Sequence, residues 1–220
     1  MDKRFWAMIG IVVVVFGGIV VLSGNKKDAG SASNGKPTNH VTGNLTSKVT
    51  LVEYGDYECS VCEGYFTTVQ QVQQKYNDTV KFQFRNLPLP PSLHPNALAG
   101  ARAAEAADMQ GKFWEMNNAL YTQSNWSEWS TSSKPEPLFW NYAQSLGLNV
   151  TKFKKDFASS AVNNHIQADV AAFAKTGQQK ATPTFFVNGK YVSNTNLTVG
   201  GAPSVDAFSK VLDTALKNAK

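Results

Sequence analysis

The chain is poor in the residues that hold together small or metal-dependent scaffolds, with only two cysteines and three histidines among 220 residues. Two thiols exclude a disulfide-rich scaffold, which needs several pairs. The histidines, His40, His94 and His165, show no paired spacing, whereas a closed zinc site needs four ligands. We therefore expect neither a metal nor a cofactor.

Charge is scarce as well, since 17% of the residues are charged and the net charge is +5. The lysines and arginines are scattered and no basic motif accompanies them, which argues against nucleic acid as a partner. Apolar residues make up 42% of the chain, enough for a substantial hydrophobic core. The composition indicates one folded domain, or one domain with an insertion.

One long uncharged run stands near the N-terminus, FWAMIGIVVVVFGGIVVL at Phe5–Leu22. This is the length at which a membrane-spanning helix is plausible, and it exceeds the ~7–15 apolar residues of a cleaved signal. We favour an uncleaved transmembrane anchor at residues 5–23 over a removed signal peptide, with residues 1–4 as a short cytoplasmic segment. Residues 24–39 are rich in Gly, Ser, Asn and Lys and predict a flexible linker.

Residues 40–220 show the periodicities of a mixed α/β domain. A strand followed by a helix and a second strand implies a parallel pair, and residues of about 92–178 carry almost entirely helical patterns. A second pair of strands is joined by Asn188–Gly189, a strong hairpin signal. We predict a small mixed sheet interrupted by an all-helical insertion, with strands at Val49–Tyr54, Thr79–Arg85, Thr184–Val187 and Lys190–Val192.

Both cysteines lie in YGDYECSVCEGYF, residues 54–66, between the first predicted strand and an amphipathic helix. Their spacing fits a redox dithiol, half of a metal site or a structural staple, although a staple closing so short a loop contributes only about 2 kcal/mol. A helix N-terminus stabilises an anion. We therefore expect an exposed thiolate at Cys59, and a more buried, less ionised thiol at Cys62.

Three further segments accompany the dithiol: EYGD at Glu53–Asp56, HPNA at His94–Ala97 and ATPTFFVNG at Ala181–Gly189. Together with the dithiol they resemble the DsbA-like branch of the thioredoxin superfamily, from about Val41 to the C-terminus. The resemblance implies a thioredoxin fold, a disulfide exchanged with substrate thiols and a cis-proline beside the dithiol.

Carried over to this sequence, the resemblance makes Cys59 and Cys62 the redox-active pair. Cys59 is the nucleophile that forms a mixed disulfide with the substrate, and Cys62 resolves that mixed disulfide. It implies a cis Thr182–Pro183 bond, with Pro183 counted among the catalytic residues. Glu53 stands where this superfamily often buries an acid, so it is a candidate proton acceptor for Cys62. The residues expected to meet the substrate are Thr182, Pro183, Ser60 and Val61.

One departure from the family pattern leaves the redox potential open. Many relatives have proline directly after the first cysteine, whereas Ser60 stands here and the Ser60–Val61 dipeptide contains no histidine. Negative charge near a thiol disfavours the thiolate, so the acidic flank predicts a milder oxidant than the strongest members of the family. Its four carboxylates are Glu53, Asp56, Glu58 and Glu63.

We expect an enzyme, a protein disulfide oxidoreductase that forms disulfides in exported proteins. A dithiol of this kind belongs in an oxidising compartment, so the expected location is a single-pass membrane protein with its catalytic domain outside the cytoplasm. The expected partners are exported substrates with free cysteines and a membrane quinone-linked reoxidase. An extracytoplasmic reductase or isomerase, and a redox-inert binding module on the same fold, remain as alternatives.

Overall fold

A computed structural model of the chain describes residues 36–219. The predicted cytoplasmic segment at 1–4, the predicted anchor at 5–23 and most of the predicted linker at 24–39 lie outside these residues. Among the helices of residues 36–219, none has the length and apolar character needed to cross a membrane.

Five strands form a mixed sheet in the order β1-β3-β2-β4-β5. Strands β2 and β3 are parallel, as their connection through a helix predicts, and the other neighbouring pairs are antiparallel. A separate two-stranded sheet pairs β6 with β7. The strands are β1 His40–Gly43, β2 Thr50–Gly55, β3 Lys81–Asn86, β4 Thr184–Val187, β5 Lys190–Val192, β6 Thr198–Val199 and β7 Ala202–Pro203.

The helices fall into three groups along the chain. Helix α1 connects β2 to β3, six helices form the predicted insertion between β3 and β4, and α8 follows β7. A 3₁₀ turn at Asn194–Leu197 precedes β6. The helices are α1 Ser60–Lys75, α2 Ala97–Asp108, α3 Phe113–Tyr121, α4 Gln123–Trp129, α5 Glu136–Ser145, α6 Val150–Phe157, α7 Ser160–Ala174 and α8 Val205–Asn218.

Helix α1 is held on the sheet by one apolar stripe. It buries Tyr65, Val69 and Val72, spaced four and three residues apart as one face of a helix requires. Phe208 and Leu212 of α8 join the same hydrophobic cluster. Because both helices pack on one face of the sheet, the N-terminus of α1 is fixed at the carboxyl end of β2.

The insertion has its own core, built around the alanine-rich helix α2. Gly100 of this helix lies so close to Tyr57 and Trp129 that an added Cβ would approach the Tyr57 Cβ to 2.8 Å. Trp129 is fully buried, and the indole of Trp126 donates a hydrogen bond of 2.9 Å to the Tyr57 carbonyl. Trp129 is therefore core, and Trp126 ties the insertion to the segment that carries the cysteines.

Sequence patterns identified four of the seven strands of residues 36–219, β2 to β5, and missed β1, β6 and β7. The β4–β5 hairpin is present, with Asn188 and Gly189 both at positive φ, 49° and 76°, as such a turn requires. Strand β1 was not predicted, because its four residues, HVTG, show no apolar alternation and owe their conformation to pairing with β3. The two-residue strands β6 and β7 were missed for the same reason.

Candidate active site

Cys59 is the N-cap residue of α1. Strand β2 ends at Gly55, the helix begins at Ser60, and Cys59 has extended backbone angles of φ −68° and ψ 118°. Its carbonyl accepts the first helical hydrogen bond, from the Glu63 N–H at 3.0 Å. The first cysteine therefore lies at the strand-to-helix junction that the sequence indicated.

The surroundings of Cys59 favour the thiolate. The pKa of Cys59 falls to about 6, chiefly because the Cys62 side chain donates a hydrogen bond to its sulfur. Burial acts in the opposite direction, and the Cys62 bond, together with smaller contributions from Thr182 and from the backbone N–H groups of Cys62 and Val61, outweighs it. These two N–H groups belong to the first helical turn, whose positive end favours an anion at the N-cap residue.

Access to Cys59 is narrower than we expected. Its accessible fraction is 5%, and that of Cys62 is 1%. The expectation of an exposed nucleophile is wrong for Cys59, judged by the accessible fraction of the whole residue. The loop before β4 covers the N-terminus of α1. The Cys59 Sγ lies 3.5 Å from the Thr182 carbonyl oxygen of that loop.

Cys62 has the opposite electrostatics. Burial raises the pKa of its thiol well above the ordinary value, and the hydrogen bond to Cys59 and the negative charges of Cys59 and Glu53 raise it further. Both cysteines are unpaired in this structure. The dithiol therefore holds one anionic and one protonated sulfur, which share a hydrogen bond.

The predicted cis peptide bond is present between Thr182 and Pro183. Pro183 is buried, and its carbonyl accepts a hydrogen bond from the Asn194 side chain at 3.1 Å. The Thr182 hydroxyl is buried without a standard hydrogen-bond partner among residues 36–219, which leaves it free to donate to the Cys59 thiolate.

Two of the residues predicted to meet the substrate lie on the surface beside the cysteines. Ser60 is exposed, and Val61 exposes 51% of its area. A large exposed apolar side chain next to a reactive group, such as Val61, is typical of a surface that binds another chain.

Glu53 lies behind the dithiol, on β2. Its side chain lines a narrow cavity of about 20 Å³, room for one water molecule, together with Cys62 and Tyr121. Burial raises the pKa of Glu53 to about 8, with a further contribution from the negative charge of Cys59. Within the described part of the chain no side chain forms an ion pair or hydrogen bond with this carboxyl, so the only charges near it are those of the cysteines.

The other acids of the flank do not face the thiolate as the charge argument assumed. Asp56 is buried and accepts hydrogen bonds from the Glu58 and Leu89 N–H groups, both at 2.8 Å. The Glu58 carboxylate accepts from the Asn96 N–H at 2.6 Å. Local sequence could not reveal the contacts with Leu89 and Asn96, because these residues come from the loop after β3.

A second polar cluster, far from the cysteines in sequence, was missed altogether. His40 Nε2 lies 2.6 Å from Glu105 Oε1, and His40 Nδ1 lies 3.3 Å from Asp108 Oδ1. His165 Nδ1 contacts the other Glu105 oxygen at 3.3 Å. The His40, Glu105 and Asp108 donor atoms are close enough to hold a cation, but their mutual pairing identifies the cluster as an ion-pair network. Lone histidines in sequence give no signal for it.

Comparison with known proteins places this geometry in a family context. A protein-family model described as thioredoxin matches residues 35–214. The chain is similar to a solved thioredoxin-like oxidoreductase from Silicibacter pomeroyi, with 28% identity and a TM-score of 0.65 over 87% of this chain and 98% of that one. It is also similar in fold to alpha-DsbA1 from Wolbachia pipientis, with 20% identity and a TM-score of 0.66 over 84% and 94% of the two chains.

Among curated relatives, the chain is 38% identical over 152 residues to a protein named Na(+)/H(+) antiporter NhaA 1 from Mycolicibacterium gilvum. The match covers 69% of this chain and 23% of the relative, so the chain spans about a quarter of the length of such relatives. The sheet, the helical insertion and the dithiol position together are those of the thioredoxin fold.

Proposed function

The chain belongs to the thioredoxin family. We propose that it is a DsbA-like thiol–disulfide oxidoreductase whose Cys59 and Cys62 oxidise the thiols of exported proteins. The observation that supports this most strongly is the unequal ionisation of the two sulfurs, with the pKa of Cys59 at about 6 and that of Cys62 well above its ordinary value. Such a pair has one sulfur suited to leave or attack as an anion and one suited to hold a proton.

The exchange follows from this asymmetry. In the oxidised protein a substrate thiolate attacks the Cys59 sulfur, the Cys59–Cys62 bond breaks, and Cys62 leaves and takes up a proton. A second substrate thiolate then attacks the substrate sulfur of the mixed disulfide and releases the Cys59 thiolate. Two electrons pass from the substrate dithiol to the cysteine pair, and the substrate gains one disulfide.

Glu53 is placed to supply and accept the proton of Cys62. It lines the same water-sized cavity as the Cys62 side chain, and its raised pKa, about 8, lies near the operating range of a general acid or base. Its charge also opposes ionisation of Cys62. Glu53 therefore favours the protonated form of Cys62 in the reduced protein.

The loop before β4 and the surface around Val61 supply substrate contacts in this proposal. The Thr182 N–H forms no hydrogen bond within residues 36–219 and lies next to the thiolate, where an extended substrate segment can accept from it. Pro183 holds this loop against Cys59. Ser60 and Val61, directly after Cys59 in the chain, offer an exposed, partly apolar surface.

The stabilised Cys59 thiolate supports oxidation of the substrate, and not its reduction, as the direction of electron transfer. A stable thiolate stabilises the reduced form and makes the disulfide more oxidising. Thiolate pKa values in CxxC motifs extend from about 3.5 to 7.5, and that of Cys59, about 6, corresponds to an oxidant of intermediate strength. The remaining parts of the proposal are a membrane anchor at residues 5–23, a catalytic domain outside the cytoplasm and a quinone-linked membrane reoxidase.

Oxidative refolding tests the proposal. The oxidised full chain, mixed with a reduced protein that needs disulfides for activity, is expected to restore that activity, and Cys59→Ser/Cys62→Ser is expected to be inert. Equilibration with glutathione should show that the pair is more oxidising than the glutathione couple. A strongly reducing potential would indicate a reductase. Absence of substrate oxidation by the native chain, with binding of the reduced substrate retained in the double variant, would indicate a redox-inert binding module.

A further inference from the structure

His94 enters the active site from the loop between β3 and α2. Its backbone N–H donates to the Pro90 carbonyl at 3.0 Å, which fixes the loop, and its side chain is 22% exposed. The ring Nδ1 lies 2.7 Å from Asp56 Oδ2. The imidazole is therefore held against Asp56 through Nδ1.

Asp56 is the anchor for this orientation. Its buried carboxylate contacts His94 and two backbone N–H groups, those of Glu58 and Leu89. Its carbonyl accepts the Cys59 N–H at 3.2 Å. One residue thus ties the imidazole, the end of the Pro-rich loop and the reactive cysteine together.

The charges around His94 favour its protonated form. Burial lowers the pKa of His94, but the hydrogen bond to Asp56 and the negative charges of Asp56, Cys59 and Glu58 outweigh burial, and the pKa is raised. Asp56 contacts both partners, since its carboxylate holds the imidazole at 2.7 Å and its carbonyl accepts the Cys59 N–H at 3.2 Å, so the imidazole and the reactive cysteine are neighbours around one residue. An attraction between two charged groups shifts the pKa values of both.

We propose that His94, positioned by Asp56, stabilises the Cys59 thiolate and so replaces the histidine that the Ser60–Val61 dipeptide lacks. This inference deepens the proposed function and rests on it. The site thereby obtains its cation from a loop more than thirty residues downstream of the dithiol.

The other charged groups near this pair are few. Asp56 and Glu58 come from the connection between β2 and α1, and the Glu58 carboxylate is engaged with the Asn96 N–H. Lys180 lies on the loop before Thr182; burial lowers its pKa, and the charge of Asp56 opposes that fall. Lys180 is thus a further cation within electrostatic reach of Asp56.

The experiment follows thiolate absorbance against pH in the reduced full chain. His94→Gln removes the charge and keeps a hydrogen-bond donor, and it should raise the pKa of Cys59 by about half a unit, the size of a half-exposed charge pair. The same variant should be two- to threefold less oxidising in equilibrium with glutathione. His165→Gln, which removes an imidazole from the other polar cluster, should leave both values unchanged, and His94→Arg should restore the lower pKa.

A second measurement needs no variant and covers the case in which His94→Gln fails to fold. Because coupling is reciprocal, the pKa of His94, followed by NMR in the native protein, should be higher by a similar half unit in the reduced form than in the disulfide form. Equal His94 pKa values in the two forms, or equal Cys59 shifts in His94→Gln and His165→Gln, would overturn the inference. If the chain shows the coupling between His94 and Cys59 but does not oxidise substrates, this inference stands and the proposed function is refuted.

Discussion

At the scale of single residues, the two cysteines differ because they meet different atoms, although they are separated by one helical turn. The Cys59 thiolate is stabilised chiefly by the Cys62 side chain, with smaller contributions from Thr182 and from N–H groups of the first turn. Cys62 is sealed between the sheet and α3, where burial dominates. The local environment thus divides one dithiol into an anionic member and a protonated one.

Replacement of the buried acid tests the proton transfer at Cys62. In Glu53→Gln, resolution of a mixed disulfide between Cys59 and glutathione should slow by about 10²-fold, the usual worth of a positioned general base. In the native protein the rate should rise with pH up to about 8, the pKa of Glu53, and this rise should vanish in the variant. Rapid-mixing kinetics across pH measure both effects.

Glu63→Gln is the matched control, because it removes an equal charge from the outer side of α1. It should keep the native pH profile. Identical profiles in the two variants would show that Glu53 is only a buried acid without a role in proton transfer.

The residues of the site were predictable only where local sequence determines them. The N-cap position of Cys59 follows from the order of strand, cysteines and helix, and so does the unequal burial of the two sulfurs. The Thr182 contact lies 123 residues away in sequence, and it could be predicted only from the family resemblance. The His94–Asp56 pair had no signal, since it depends on how the loop after β3 returns to the dithiol.

At the scale of elements, the site depends on how closely α2 approaches the segment that carries Cys59. The approach is possible because α2 presents alanines and Gly100 to Tyr57 and Trp129. Periodicity predicted α2 well, yet it gave no indication of what the helix touches. The short strand β1 was missed because its pairing with β3, not its own composition, stabilises it.

Two glycine-to-alanine variants separate helix propensity from packing. Gly100→Ala should lower the free energy of unfolding by about 1–3 kcal/mol, because the new methyl group would lie 2.8 Å from the Tyr57 Cβ and 3.1 Å from the Trp129 ring. Gly64→Ala, in an open position of α1, should raise it by about 0.5–1 kcal/mol. Urea denaturation measures both, and a stabilised Gly100→Ala would refute the close approach.

At the scale of the whole molecule, the dithiol lies between two hydrophobic clusters. Cys59 and Cys62 belong to the cluster of the insertion, whereas α1 packs on the sheet through the other cluster. The His40 network joins the first strand to the insertion, because Glu105 and Asp108 belong to α2 and His165 to α7. These polar contacts hold the insertion against the sheet edge.

The His40 network makes stability depend on pH. Burial lowers the pKa of His40, but hydrogen bonds to Asp108 and Glu105 and their charges raise it to about 9. A raised histidine pKa stabilises the fold fully below the unfolded value of about 6.5, and this contribution is lost as pH rises through 9. Its full size is on the order of 3 kcal/mol.

The measurement is the difference in unfolding free energy between the native protein and His40→Gln at several pH values. This difference in unfolding free energy should shrink between about pH 6.5 and 9. The cysteines titrate in both proteins, so their contribution to the unfolding free energy cancels in the difference. His165→Gln, at a histidine with a 44% exposed side chain, should show a weaker dependence. A difference that stays constant across this range would show that His40 is neutral in the fold.

The central claim is that Cys59 forms the mixed disulfide with the substrate, whereas Cys62 resolves that disulfide. Trapping of the mixed disulfide tests this claim most directly. Cys62→Ser and Cys59→Ser are each incubated with a substrate protein that carries free cysteines and an oxidant, and covalent adducts are identified by non-reducing electrophoresis and mass spectrometry. The account predicts a mixed disulfide on Cys59 that accumulates in Cys62→Ser and is absent in Cys59→Ser. Accumulation in Cys59→Ser, with none in Cys62→Ser, would reverse the two roles and contradict the account.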